Sequence, residues 1–259
     1  MPRTVLITGA SSGIGYELAL LFARDGFDCV LTARRADRLE ALAVKLREEH
    51  KVRATVIPAD LADPASPERI FSAVHSAGLA VDVLVNNAGF PSYGHFFQLD
   101  TRGELNELQV NIVALTHLTR LFLPDMIARR DGRILNVAST AAFEPGPLMA
   151  VYYASKAYVL SFSQALGNEL TGTGVSVTAL CPGITRTGFQ AAGAMDDSRL
   201  VQGRMADAAS VALAGYRGLM ARKSVVIPGF ANKLVPLAVR LAPRSVVTRM
   251  VRRAQERVR

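Results

Sequence analysis

TVLITGASSGIG, residues 4–15, passes from an apolar run through a glycine-bearing turn into a helix expected to begin near Ile14. Such a turn between a first strand and a first helix lets backbone amides approach a pyrophosphate, and the positive end of the helix favours its charge. Gly9 permits the turn, Gly13 the close approach of the backbone, and Gly15 the packing of helix on strand. The alternative is a tight turn needed only for packing.

Outward from this unit the alternation repeats. TVLIT (4–8), DCVLTA (28–33), RATVIPA (53–59), VDVLVN (81–86), GRILNVAS (132–139), GVSVTAL (174–180) and SVVIP (224–228) read as strands bounded by Gly, Asp or Pro. They carry too little alternation for a half-exposed sheet. Between them, YELALLFARDG reads as a helix stopped at Gly26, and RLEALAVKLREE sets Leu39, Leu42, Val44 and Leu46 among charges. Repeated strand–helix units imply a parallel sheet covered on both faces. The expectation is a doubly wound, Rossmann-type α/β domain with a seven-stranded parallel sheet over residues 1–230, followed by a C-terminal extension over 231–259.

Composition narrows the function classes. The chain has 259 residues, half of them hydrophobic, enough for one large core. Its formal charge of +8 is uneven: residues 222–259 hold ten Lys and Arg against one Glu, leaving twenty basic and twenty-one acidic groups in the rest. Basicity confined to a tail does not describe a nucleic-acid-binding face, and no nucleic-acid partner is expected. Cys29 and Cys181 lie in apolar runs and read as reduced thiols of a cytoplasmic core; His50, His75, His95 and His117 are scattered, so no metal site is expected. Met1-Pro2-Arg3 leads directly into an apolar strand, leaving no room for a signal peptide, and no apolar run reaches 18 residues.

About twenty positions past the glycine turn, dinucleotide sites carry an acid that binds the ribose 2′-hydroxyl. Here the stretch reads Ala33-Arg34-Arg35-Ala36. Two arginines at the start of a helix oppose its macrodipole. A bound 2′-phosphate compensates, and guanidinium grips it bidentately. NADP(H) is therefore favoured over NAD(H); otherwise these are two solvated surface arginines.

VYYASKA (151–157) sets two tyrosines ahead of a lysine. Residues four apart share a helix face, so Tyr152 and Lys156 can point into one cleft. A free tyrosine titrates near pH 10, and lowering that by about 3 units needs roughly 4 kcal/mol of differential stabilisation. A nearby ammonium in a partly dry cleft is expected to supply it.

TGASSGIG, NNAG (86–89), Ser139 after the fifth strand and Tyr152-x-x-x-Lys156 together resemble the short-chain dehydrogenase/reductase family, in its compact branch with TGxxxGxG. The motifs stand in family order from residue 4 to about 230. The resemblance selects Tyr152, four residues before the lysine and thirteen after the serine, and leaves Tyr153 as a helix-packing residue. It implies an oxidoreductase interconverting a ketone or aldehyde and an alcohol. Ser139 would polarise the carbonyl, Tyr152 give or take its proton, and Lys156 bond the nicotinamide ribose. Asn111, in QVNIVAL, would hold a water that relays protons to Lys156; a mid-helix Asn could otherwise merely face solvent. By the same resemblance Gly9, Ser11, Ser12, Gly13, Ile14 and Gly15 contact the cofactor, with Asp60 and the adjoining Leu61 at the adenine. Asn86 and the Ala88-Gly89 backbone would line the adenosine and ribose side. Pro182-Gly183-Ile184 would meet the nicotinamide, and Thr187 the phosphates.

ITRTGFQAAGAMDDSRLVQGRM (184–205) reads as a substrate lid, about 184–206. With Phe90, Tyr93, Phe96, Phe97, Phe143, Leu148 and Met149 expected nearby, the pocket suits an apolar carbonyl: a 3-oxoacyl group, a steroid-like ketone or a xenobiotic. The rival readings are a non-catalytic NADP(H)-binding protein and a membrane-surface protein on the same fold. A nucleotide-sugar epimerase would usually carry TGxxGxxG. A cytoplasmic homo-oligomer, dimer or tetramer, is expected. In the tail, Leu234, Leu237, Ala238 and Leu241 share a helical face, with Lys233, Arg240 and Arg244 largely off it and Pro243 ending the segment. A second segment sets Val246, Val247, Met250, Val251, Ala254 and Val258 opposite Arg249, Arg252, Arg253 and Arg257. Packing over the substrate mouth or on a second subunit is favoured over a bilayer, because neither segment carries the Trp or Phe of an interfacial anchor.

Overall fold

Every residue of strands Thr4–Thr8 (β1) and Asp28–Thr32 (β2) is buried, which requires cover on both faces of the sheet they form. The computed structural model describes residues 2–188, Ser198 and 205–256. Beyond β2 come Ala54–Val56 (β3), Val81–Asn86 (β4), Gly132–Val137 (β5) and Val175–Leu180 (β6). A short pair, Thr185–Arg186 (β7) and Ala206–Asp207 (β8), stands apart, and Val225–Val226 (β9) returns to the main sheet. Its order is β3-β2-β1-β4-β5-β6-β9, all parallel. The seven expected strands are these seven. Five are shorter than the sequence suggests, β3 and β9 most of all, at three and two residues.

Side chains alternate across the sheet. Val5 and Ile7 face one helical layer and Leu6 the other. The first layer is Gly13–Arg24 (α1), Ala36–His50 (α2) and Ala208–Met220 (α7). The second includes Ser66–Ser76 (α3) and Leu115–Arg129 (α5), with Ala150–Glu169 (α6) beside them and Thr101–Leu108 (α4) leading into α5. In α2 the buried stripe is Leu39, Leu42, Ala43 and Leu46; Val44, placed on that face by the sequence reading, is exposed. Between α4 and α5, Gln109–Ala114 forms a π turn. Two tail helices follow β9, Phe230–Leu241 (α8) and Arg244–Gln255 (α9).

The strand order reverses between β1 and β4. Their carboxyl ends therefore open a crevice, the place where doubly wound sheets bind ligands. Gly9 turns there with φ +67°, and a Cβ on it would lie 2.8 Å from Asn87 Nδ2. A Cβ on Gly15 would lie 2.5 Å from the Gly9 carbonyl oxygen, so only glycine lets α1 sit this close to the turn.

Candidate active site

The crevice is a cleft of about 1050 Å³ running from the arginines after β2 to the N-terminal half of α6. At the first end it is lined by Ser11, Ser12, Gly13 and Ile14 with Arg34, Arg35, Asp60 and Leu61. Arg38, in the first turn of α2, joins them, a cleft residue that the sequence analysis does not include. Arg35 Nη2 donates to Ser11 Oγ and Ser12 Oγ, each at 3.1 Å, which draws the guanidinium over the glycine turn. Ser12, the N-cap of α1, makes no side-chain cap bond, and no acid occupies the first turn. The leading amides of α1 and three guanidinium groups form a donor set that fits a phosphorylated dinucleotide.

Along the floor, Thr8 Oγ1 accepts from the N–H groups of Asn87 (2.9 Å) and Ala88 (3.0 Å), and Asn87 Nδ2 donates to the Thr8 carbonyl at 2.9 Å. Of the two asparagines of NNAG, Asn87 lines the cleft and the expected Asn86 does not. Asn86, still in β4, is buried, and its Nδ2 donates to Thr119 Oγ1 (3.0 Å) and Asn136 Oδ1 (2.9 Å). Neighbouring strand residues face opposite ways, so Asn87 takes the cleft side and Asn86 the core. Ala88, Gly89, Pro182, Gly183, Ile184 and Thr187 line the cleft; Gly15 lies behind the turn.

At the far end the structure brings Ser139, Tyr152 and Lys156 together. Ser139 caps a single 3-10 turn over Thr140–Phe143, its Oγ accepting from Ala141 N–H at 3.1 Å and donating to the Pro182 carbonyl at 3.4 Å. Tyr152 lines the cleft beside Ser139, whose side chain favours the ionised form of its phenol. Lys156 Nζ donates to the Val137 carbonyl at 2.9 Å and sits 5.7 Å from the centre of the Tyr152 ring.

That placement overturns one expectation. The ammonium lies over the ring face, and burial raises the Tyr152 phenol above its ordinary value; Ser139 opposes this, while Tyr153 and Glu107 add to it. Lys156 is itself lowered to about 8, chiefly by burial.

Asn111 stands in the π turn, buried rather than solvent-facing. Its Nδ2 donates to the Phe90 carbonyl and to Ser155 Oγ, each at 3.1 Å, and its Oδ1 accepts from Phe90 N–H at 3.2 Å. Ser155 Oγ in turn donates to the Tyr152 carbonyl at 2.7 Å, so the π turn and the YxxxK helix are joined side chain to backbone. A Cβ on Gly89 would lie 2.9 Å from Asn111 Oδ1 and 3.3 Å from Lys156 Nζ, which puts both groups under that glycine.

Glu107, unremarked in the sequence, is fully buried one turn before Asn111, and its Oε2 accepts from Ser92 N–H at 2.8 Å. Burial raises its carboxyl to about 7, with Glu104 reinforcing and the Ser92 bond and Lys156 opposing. The folded state therefore keeps a proton that the unfolded chain releases between about pH 4.5 and pH 7. Stability contributed by this group falls across that window and is lowest above it, by up to about 3 kcal/mol. Glu107→Gln keeps an oxygen for Ser92 and cannot ionise. Its melting temperature, relative to the parent protein, is expected to rise by about 5 °C or more between pH 5 and pH 8. A difference that stays constant with pH would show that Glu107 carries no such burden.

The substrate end departs from the expected all-apolar lining. Phe90 and Met149 are there, but Phe96 and Phe97 are exposed outside it, and Phe143 and Leu148 are partly buried in neighbouring clusters. Tyr93 is buried, its hydroxyl donating to the Gln255 carbonyl. Tyr153 also lines the cleft, accepting at its hydroxyl from Gln255 Nε2 at 2.7 Å. Asn232, Val235 and Gln255 bring both tail helices to the mouth. Residues 189–204 of the expected lid, Ser198 apart, lie outside the described residues.

A glycine turn on α1, paired donors for a dinucleotide and a Ser-Tyr-Lys cluster at the other end define a nicotinamide-dependent oxidoreductase site. The family profile described as short chain dehydrogenase matches residues 3–197, and the chain belongs to the short-chain dehydrogenase/reductase family. It is 36% identical over 186 residues to the oxidoreductase UcpA of Salmonella typhimurium, covering 71% of this chain and 70% of that one. Among solved structures, a short-chain dehydrogenase from Sphingobium yanoikuyae in complex with NADPH superposes with a TM-score of 0.84 at 35% identity, covering 94% of each chain. The bulky-bulky ketone specific alcohol dehydrogenase from Comamonas testosteroni gives 0.79 at 32% identity, over 91% of this chain and 90% of that one. The protein is an NAD(P)-dependent oxidoreductase acting on carbonyl or alcohol groups.

Proposed function

We propose that the protein is an NADPH-dependent reductase of apolar ketones or aldehydes, with Tyr152, Ser139, Lys156 and Asn111 as its catalytic set. The observation that carries this reading is that Ser139, Tyr152 and Lys156 line one end of a cleft whose other end holds Arg34, Arg35 and Arg38. Ala33 stands where a carboxylate for a free 2′-hydroxyl would be expected. A 2′-phosphate between the arginines answers both facts.

When bound, the nicotinamide supplies a hydride and becomes a positively charged ring. The remaining work belongs to this chain. Ser139 Oγ and the Tyr152 hydroxyl address the same carbonyl oxygen, which stabilises the charge that grows on it. Tyr152 donates the proton. Its raised phenol is fully protonated at neutral pH, which suits a general acid and favours the reductive direction. Lys156, partly neutral near pH 8, receives and returns protons behind it, and Asn111 holds the π turn against α6 so that the relay stays aligned. Gly9, Ser11, Ser12, Gly13 and Ile14 would receive the pyrophosphate, Asp60 and Leu61 the adenine, and Pro182, Gly183, Ile184 and Thr187 the nicotinamide half. The Comamonas testosteroni relative, named for bulky ketones, supports a roomy substrate end.

A screen of NADPH consumption over chain-length-graded ketones and aldehydes tests the reading. Turnover should rise with apolar bulk and favour NADPH over NADH. Failure to turn over any carbonyl, or a clear preference for NADH, would overturn it.

A further inference from the structure

Helix α8 is apolar on two opposite sides. At 3.6 residues per turn, Val235 and Val239 fall on one side with Asn232, and Phe230, Leu234, Leu237 and Leu241 fall in a narrow arc on the other. The inner side is accounted for. Asn232 and Val235 line the cleft, and Val239 packs against the cluster of Met149, Tyr152 and Tyr153.

The outer side has no cover among the described residues: Phe230 is 80% exposed, Leu234 50%, Leu237 58% and Leu241 80%. Helix α9 does not shield it, since Val247, Val251 and Gln255 turn toward the body and Met250 is exposed as well. Charge accompanies the row. Residues 230–256 hold Lys233, Arg240, Arg244, Arg249, Arg252 and Arg253 against Glu256 alone, and Glu256 is paired with Arg252 at 3.8 Å.

We propose that this row docks the protein on an anionic lipid bilayer. Phe230, Leu234, Leu237 and Leu241 enter the boundary between headgroups and acyl chains, and the flanking Lys233, Arg240 and Arg244 meet the lipid phosphates. A second copy of the chain fits the surface less well. In a two-fold pairing of α8 rows, Lys233 and Arg240 of both copies border one seam, and like charges there oppose association. The row also offers on the order of 500 Å², short of the roughly 800 Å² per partner of a stable protein interface. A bilayer asks for no such complementarity and is attracted by the same cations.

The tail expectation drawn from sequence thus divides. The second helix packs back as expected. The first seats Asn232, Val235 and Val239 against the body but leaves the face of Leu234, Leu237 and Leu241 open, with the aromatic Phe230 at its head.

Co-sedimentation of the full chain with vesicles tests the proposal, using phosphatidylcholine alone and phosphatidylcholine mixed with phosphatidylserine. The protein should pellet with the mixed vesicles, stay in solution with phosphatidylcholine alone, and be released by added salt. Leu234→Gln with Leu237→Gln should lower the partition coefficient about tenfold or more while leaving melting temperature and NADPH affinity unchanged, since both side chains are exposed. A Lys233→Gln, Arg240→Gln protein should keep its fold and lose most of the preference for phosphatidylserine. No pelleting on mixed vesicles, equal pelleting of the leucine variant, or indifference to phosphatidylserine would overturn the proposal. So would an oligomer of the parent protein that the leucine variant splits into monomers, which would assign the row to a second copy.

Discussion

Tyr152→Phe is expected to lower kcat/KM for carbonyl reduction by about a thousandfold or more, within the range of a lost general acid together with its contact to the carbonyl oxygen. The change removes only a hydroxyl, so the NADPH dissociation constant should move little. Tyr153→Phe is the control that gives the result its meaning. Both rings are buried, and their centres lie 6.1 Å apart, so the two substitutions perturb similar surroundings. What Tyr153 loses is its bond to Gln255 in the tail, a cost of about 1 kcal/mol in stability with activity kept within a few-fold. Steady-state kinetics and cofactor titration on the two proteins decide the matter. Loss of turnover in Tyr153→Phe with activity retained in Tyr152→Phe would invert the proposed catalytic register.

The second large effect concerns the cofactor. Charged hydrogen bonds contribute about 1.5–3 kcal/mol each, so two guanidinium contacts to a 2′-phosphate amount to a preference of about 100-fold or more. Arg34→Ala with Arg35→Ala should erase most of it by weakening NADPH, with NADH affinity nearly unchanged. Arg35 alone also bridges Ser11 and Ser12, so its single substitution is expected to loosen the glycine turn and weaken both cofactors somewhat. Arg34→Ala should act on NADPH only. A parent protein that binds NADH and NADPH equally well would remove the basis of the assignment.

Much of this architecture is legible in the sequence, and the misses have a common origin. Strand composition, the glycine turn and the Tyr-x-x-x-Lys spacing are local signals, and the parallel seven-stranded sheet follows from them. Spacing does not say which way a side chain points at the end of a strand, so the motif NNAG alone does not separate the buried Asn86 from the cleft-lining Asn87. Nor does it show that a loop aromatic such as Phe97 stands clear of the cleft. Glu107 belongs to no short motif and Ser155 fills an unspecified position of Tyr-x-x-x-Lys; their importance comes from burial against Ser92 and Asn111, which only the packed chain reveals. The phenol of Tyr152 is the instructive electrostatic case. Proximity to Lys156 suggested a lowered value, but an ammonium above the ring face does not compensate the hydroxyl for its lost water.

The π turn at Gln109–Ala114 can also be understood as a length. A turn closed five residues on instead of four holds one residue more than the α-helical path needs, like a spare link in a chain. Before and within that link, Glu107 reaches the Ser92 N–H and Asn111 reaches Phe90 and Ser155; beyond it, Leu118, Phe122 and Met126 are buried in the core against the sheet. Removing one residue from the stretch would let a regular helix close, and the two halves could no longer both face correctly. With α5 fixed by its buried leucines, the segment before it would rotate by about 100°. Asn111 would swing away from Ser155, and Glu107 from Ser92. The extra link thus acts as a phase adjuster, letting one continuous rod serve the core along one stretch and the cleft along the other.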